Sequence, residues 1–300
     1  MQGGQRHATV LTKSSMTVKN SSASVRARLL SKAREDYVDY QLVLTRYGLE
    51  RLLYRLSISS QKDNFLLKGA LLFDLWYDVP LRPTHDIDLL GFGIAEIPHL
   101  IDVFEELCTK EVDDGIVFDF KTIKAEEIRK ESNYSGIRVT LVGFIDGARC
   151  PIQVDIGYGD AVTPAPETAM YPVMLDNMPA ARLRVYPRYT VIAEKLEAII
   201  TLGMANTRMK DYFDLYVILQ DTQLDRTVLA QAVSVTLNRR GTAIPKDVPT
   251  GLSERFSSDA QKNTQWIAFI NRNKLKATSL DVTVEYLRNK LVFLFNTESS

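Results

Sequence analysis

Apolar positions recur at helical spacing near the start of the chain. From Ser24 to about Glu35, Val25, Leu29, Leu30 and Ala33 fall on one face, which predicts a short amphipathic helix. From about Tyr37 to Leu56, Leu42, Leu44, Tyr47, Leu49, Leu52 and Leu53 form a second stripe. Arg46, Glu50, Arg51 and Arg55 read as its solvated face. A third helix is expected from Lys68-Gly69 through Ala70 to Trp76, ended by Pro80 and Pro83. The pattern then changes to short extended runs. Strands are expected over His85 to Leu90, Ile116 to Ile123, Ser135 to Phe144 and Arg149 to Ile156, with a helix at Ile97 to Cys108 and a charged turn at Lys124 to Glu131. Five prolines between residues 161 and 188 mark a connector. Beyond it, helical patterns run over Thr190 to Leu202, with Thr190 as a possible cap, and over Met209 to Leu219 and Thr227 to Leu237. Thr264 to Phe269 and Leu280 to Phe295 follow, after a loop-like stretch from Gly241 to Ser258.

Composition narrows the class. The 300 residues carry 45% hydrophobic and 25% charged side chains, as globular proteins do. No apolar run is long enough to span a bilayer. The net charge is zero, so any nucleic-acid surface must be a local patch. Cys108 and Cys150 imply no disulfide framework and fit a reducing, cytoplasmic setting. His7, His85 and His99 show no zinc-ligand spacing with them. Residues 1 to 34 hold basic and serine residues but no acid. They read as a flexible leader over 1–23, a transit-type segment, or an early start ahead of Met16.

The chemistry concentrates at Arg82-x-Thr84-x-Asp86-Ile87-Asp88. In an extended run, Asp86 and Asp88 face one side while Ile87 points to the core. Two neighbouring carboxylates repel each other, and a hard divalent cation such as Mg2+ relieves that repulsion. Asp155, near the end of another strand, could approach the pair. Lys68-Gly69 offers a helix start where backbone N–H groups could face a phosphate. Together these describe a site where Mg2+ could hold a nucleoside triphosphate.

A second constellation lies downstream, in Val191-Ile192-Ala193-Glu194-Lys195 and in Arg208-Met209-Lys210-Asp211-x-x-Asp214-Leu215. Lys195 sits on an otherwise apolar helix. It reads either as a lysine reaching a triphosphate or as a snorkelling side chain paired along its own helix. Asp211 reads either as its partner or as an acid suited to a helix start.

These segments, together with Leu67-Lys68-Gly69-Ala70 and Asp155-Ile-Gly-Tyr-Gly-Asp160, resemble the AbiEii/AbiGii-type nucleotidyltransferase toxins, the group that includes the mycobacterial MenT toxins. The similarity covers about residues 24 to 220, and the early helices fit its pattern. It implies an α+β fold: a DNA polymerase β-like nucleotidyltransferase core with a mixed sheet, followed by a helical C-terminal domain. On this reading, 24–185 is the core with its N-terminal helices and 186–300 the helical domain. The resemblance further implies Mg2+-dependent transfer of a nucleotide from an NTP, and a cognate antitoxin. Several members add pyrimidine nucleotides to the 3′ end of tRNA and so block aminoacylation.

Carried over by motif, Asp86, Asp88, Lys195 and Asp211 are catalytic. Asp86, Asp88 and Asp155 hold metal, and Lys68, Gly69, Arg82, Thr84 and Lys210 contact the nucleotide. One departure is Ala70, where many nucleotidyltransferases carry a serine. Thr84 is either a hydrogen-bonding loop residue or a phosphorylation site that would silence the enzyme. The tRNA is expected on a local basic surface including Arg182, Arg184, Arg188, Arg239 and Arg240. The alternatives are nucleotide transfer to a protein or small-molecule hydroxyl, and a catalytically silent module that binds RNA or a partner.

Overall fold

The computed structural model describes residues 21–77, 82–129, 135–221 and 223–295. The expected leader before residue 21, and Pro80, lie outside the described residues. Two helices open the chain, α1 (Ser22–Glu35) and α2 (Tyr40–Ser57), capped by the side chains of Ser21 and Asp39. Next come β1 (Phe65–Lys68), a 3-10 turn at Gly69–Leu72 and the four-residue α3 (Phe73–Trp76). The expected helix from Gly69 is therefore a tight turn with a short helical end, too short to carry a useful dipole.

The sheet continues with β2 (Asp86–Gly91), helix α4 (Ile97–Thr109), β3 (Val117–Arg129), β4 (Ser135–Ile145) and β5 (Ala148–Tyr158). The expected charged turn from Lys124 is strand as far as Arg129, because Lys124 to Arg129 pair in register with Thr140 to Ser135. Residues 130 and 131 lie outside the described residues. The proline-rich connector holds β6 (Glu167–Met170) and β7 (Arg182–Val185). The seven strands form one mixed sheet in the order β3-β4-β5-β2-β1-β7-β6. β2 runs antiparallel to β1 and parallel to β5.

One sheet face is apolar and covered. Leu52, Leu53 and Leu56 of α2 and Val103, Phe104 and Leu107 of α4 pack on Ile87, Leu89 and Val154. The alternation of β2 therefore leaves Asp86 and Asp88 on the opposite face.

The polar side of α2 was expected in water, but Glu50, Arg51 and Arg55 are buried. Each is buried against opposite charge or backbone, the condition that makes burial tolerable. Arg55 binds both oxygens of buried Asp114 at 2.6 and 3.2 Å. Arg51 meets Glu50 at 2.6 Å and donates to the Pro179 carbonyl at 3.0 Å. Burial pushes the Glu50 carboxyl up to about 7. Glu50 also accepts from the Met174 amide at 2.7 Å, so this pair ties α2 to the connector.

The remainder is helical: α5 (Arg188–Leu202), α6 (Met209–Asp221), α7 (Arg226–Arg240), α8 (Glu254–Ser257), α9 (Ala260–Arg272) and α10 (Leu280–Leu291). Pro187, not Thr190, occupies the cap of α5. The Thr190 hydroxyl instead donates to the Thr163 carbonyl at 2.9 Å and accepts from its amide at 3.0 Å. It pins the connector to the helix that carries Lys195.

Candidate active site

Strand register builds the first half of the site. Lys68 pairs with Asp88, Asp88 with Asp155, and Asp155 with Arg138, across β1, β2, β5 and β4. Residues paired in register share a face, so this row places two acids between two cations. Asp86 lies two residues upstream of Asp88, beside Gln153. The Thr84 hydroxyl is buried and donates to Asp86 Oδ1 at 2.8 Å. Thr84 is thus a loop-fixing residue, and its modification requires that bond to break.

Gly69 sits at the turn that follows β1, with φ +73. A Cβ there would lie 2.7 Å from both Cβ and Cγ of Asp88. No residue with a side chain fits against this carboxylate without moving it.

Asp155 is in place beside Asp88, but its two oxygens accept from Arg138 Nε and Nη2, both at 2.8 Å. Among the described residues, no group of three or more His, Cys, Asp or Glu is gathered closely enough to hold a metal. Asp86 and Asp88 offer only oxygen donors. That suits Mg2+, which completes its shell with water and substrate phosphates rather than a full protein cage.

The helices supply the second half. Lys195 on α5 donates to Asp211 at 2.9 Å and to Asp214 at 2.8 Å, both on α6. Arg208 Nε meets the other oxygen of Asp211 at 2.6 Å. Arg82, just before β2, grips both oxygens of Asp214 at 3.0 and 3.1 Å. Asp211 and Asp214 are fully buried. Burial alone would raise the Asp211 carboxyl; Lys195 and Arg208 override it and hold it down to about 2. Three cations thus share two carboxylates here, and Asp88 acts on Arg82 from the sheet side.

The other end is acidic. Lys68 Nζ binds Asp160 at 2.6 Å and approaches Glu194 at 3.4 Å. Arg240 reaches Asp160 at 3.1 Å, Glu194 at 3.4 Å and Glu197 at 2.8 Å. Here two cations face three carboxylates. Burial would lower the Lys68 ammonium, but Glu194 and Asp160 raise it, so it stays charged. Lys68, Gly69, Arg82, Asp88, Lys195, Lys210 and Asp211 line this one cleft.

The sequence model described as "AbiEii: Nucleotidyl transferase AbiEii toxin, Type IV TA system" matches residues 51–286. The chain belongs to the AbiEii nucleotidyl transferase toxin family. Among solved structures, it resembles a candidate nucleotidyltransferase from H. pylori, with 15% identity, a TM-score of 0.50, and 86% of this chain and 96% of that chain covered. It also matches JHP933 from Helicobacter pylori at 16% identity and a TM-score of 0.49, covering 86% and 93% of the two chains. At such identities the likeness concerns the mixed α+β architecture. No curated protein matches the chain. No helix among the described residues is long and apolar enough to cross a membrane.

In this AbiEii chain, the sequence-derived residues divide into two groups. Asp86, Asp88 and Asp155 come together on the sheet. Lys195, Asp211 and Arg82 come together across the cleft, with Lys210 at its edge. Lys68 is in register with Asp88, but its ammonium is held by the acidic cluster. Arg138 has no signal in the sequence and Asp160 only its place in the Asp155-Ile-Gly-Tyr-Gly-Asp160 segment; strand pairing and tertiary packing give them their partners. Asp214 had a signal: it lies three residues from Asp211, on the same helical face. Of the arginines expected on a basic surface, Arg182 is exposed on β7 and the other four are engaged. Arg240 is inside the cleft, Arg239 donates to the Gly159 carbonyl, Arg184 stacks on Phe92 and Arg188 on Trp76.

Proposed function

We propose that the chain transfers a nucleotide from an NTP, a pyrimidine nucleotide by preference, to the 3′ end of tRNA, and so blocks aminoacylation and translation. This goes one step beyond nucleotidyl transfer in a toxin–antitoxin setting, which the family carries. The proposal includes a DNA polymerase β-like core over 24–185, a helical domain over 186–300, Mg2+ as cofactor, a cognate antitoxin and a cytoplasmic site of action.

The supporting observation is that one cleft is lined by Asp88 from the sheet and by Lys195 and Asp211 from the helices. Mg2+ bound at Asp86 and Asp88 would supply charge neutralisation at the triphosphate and activation of the attacking hydroxyl. Asp155 stands next to them as third carboxylate, available once Arg138 releases it. The cations Lys195, Arg82 and Arg208 favour the triphosphate at that end of the cleft. Asp211 fixes Lys195 through their 2.9 Å bond, so the ammonium is positioned before substrate arrives. Gly69 lets the backbone approach Asp88, and Thr84 holds Asp86. Lys68 reaches the nucleotide only by leaving Asp160, and Lys210, exposed at the edge, meets it from outside. Incubation with labelled NTPs, Mg2+ and total tRNA tests the reading. Label on RNA, lost in Asp86→Asn, supports it; no labelled RNA with any NTP refutes it.

A further inference from the structure

A second, larger groove opens where the cleft ends. Arg82, Arg208 and Lys210 line both. Pro83 and His85, immediately before Asp86, line the groove, while Asp88 lines the cleft. The segment that leads into the carboxylate pair therefore borders the groove, and Asp88 opens to the cleft beyond it.

The groove is charged in a way the whole chain is not. Eight Lys and Arg residues line it against four Asp and Glu, although the net charge of the protein is zero. Its acids are already engaged. Asp74 pairs with Arg46, Asp36 with Lys32, Glu50 with Arg51, and Asp39 caps α2. Four of its cations, Lys210, Arg272, Lys274 and Lys276, are exposed and form no ion pair with a described residue.

Local structure does not explain them. The end of α9 accounts for Arg272 in its last turn, where a cation suits the dipole. It does not account for Lys276, which lies beyond the helix. Lys210 lies in the first turn of α6, where a cation is disfavoured. Lys274 is held at φ +52, a costly conformation for a side-chain-bearing residue. Aromatic rings border the same groove: Trp76, Tyr77, and Tyr37, which is 93% exposed. Of these rings Tyr37 has an open face, while Trp76 is covered by Arg188; unpaired cations beside an exposed ring suit single-stranded nucleic acid, the cations for phosphates and the ring for a base. A polyanion can meet all four unpaired cations at once, which is the ground for placing RNA in this groove ahead of a protein.

We propose that this groove is the acceptor path. A single-stranded RNA segment lies with its phosphates along Arg272, Lys274 and Lys276, and its 3′ end passes Lys210 and His85 to reach Asp86 and Asp88. This deepens the transfer reading and rests on it for the identity of the acceptor.

The test is binding of a fluorescent single-stranded RNA by the full chain, followed by anisotropy across a salt series. The comparison is the variant Arg272→Ser/Lys274→Ser/Lys276→Ser, whose changed side chains are all exposed. The variant is expected to bind at least about tenfold more weakly, with a salt slope shallower by about 2, since each lost phosphate contact is worth about 0.7 in the slope. Binding of a fluorescent NTP should be unchanged. Equal RNA affinity in parent and variant, or no RNA binding by the parent, overturns the groove. The two readings fail separately. A variant that labels RNA as efficiently as the parent removes the groove and leaves the transfer. A parent that binds RNA through these residues but transfers no nucleotide removes the transfer and leaves the groove.

Discussion

Gly69→Ala offers the sharpest structural test, because its cost divides into two parts that can be measured apart. Gly69 has φ +73, and a Cβ built there lies 2.7 Å from Asp88 Cβ and Cγ. Rotating the Asp88 side chain moves Cγ but leaves Cβ in place, so the backbone of β1 or β2 must yield. Gly93 is the control: its φ is +89 and a Cβ there meets nothing within 4 Å. Gly93→Ala therefore carries the left-handed backbone cost alone, about 1–2 kcal/mol. Gly69→Ala adds an overpacking cost, for a total of about 2–5 kcal/mol. Both are read from urea unfolding. In the transfer assay, Gly69→Ala should lose about 100-fold in rate, because a shift of about an ångström at a catalytic carboxylate has that effect. Gly93→Ala should keep its rate. If the two variants match in stability and rate, the close approach of Gly69 to Asp88 has no consequence and the reasoning fails.

Two further predictions concern the buried cluster. Lys195→Met leaves Asp211 and Asp214 with one cation each, Arg208 and Arg82, and should destabilise by about 3–5 kcal/mol, the cost of breaking a buried ion pair. A loss below about 1 kcal/mol in urea unfolding would place the three groups in water instead. The parent should also lose stability in acid. Asp211 is held down to about 2 against an ordinary 3.8, so its contribution is full above 3.8 and is lost as the pH falls towards 2. The expected loss is about 2 kcal/mol over that interval, read from unfolding midpoints at successive pH values.

The sequence reveals most of the elements but little of the partnering. Period-two alternation around Ile87 places Asp86 and Asp88 on one face, and the spacing of apolar residues locates α1, α2, α4 and α6 to within a few residues. Burial of polar residues is where pattern reading fails. Arg51 and Arg55 look like a wet helix face because their partners, Pro179 and Asp114, are distant in sequence. Thr190 looks like a cap because nothing local reveals its bond to Thr163. The Lys124 stretch looks like a turn from its charges, yet edge strands tolerate charge and β3 lies at the sheet edge. In the site, Asp155 can be picked out as a third carboxylate from its strand. Its pairing with Arg138 depends on register, which no single segment encodes. Lys68 shows the same limit: its place after a strand is legible, but its capture by Asp160 is a tertiary fact.

The central claim is tested most directly by giving the protein each labelled NTP in turn, with Mg2+ and total tRNA, and resolving RNA from protein. The account predicts label at RNA 3′ ends, strongest with a pyrimidine nucleotide and abolished by Asp86→Asn or Asp88→Asn. Label on protein alone, no label on RNA with any nucleotide, or full activity in either variant would contradict it.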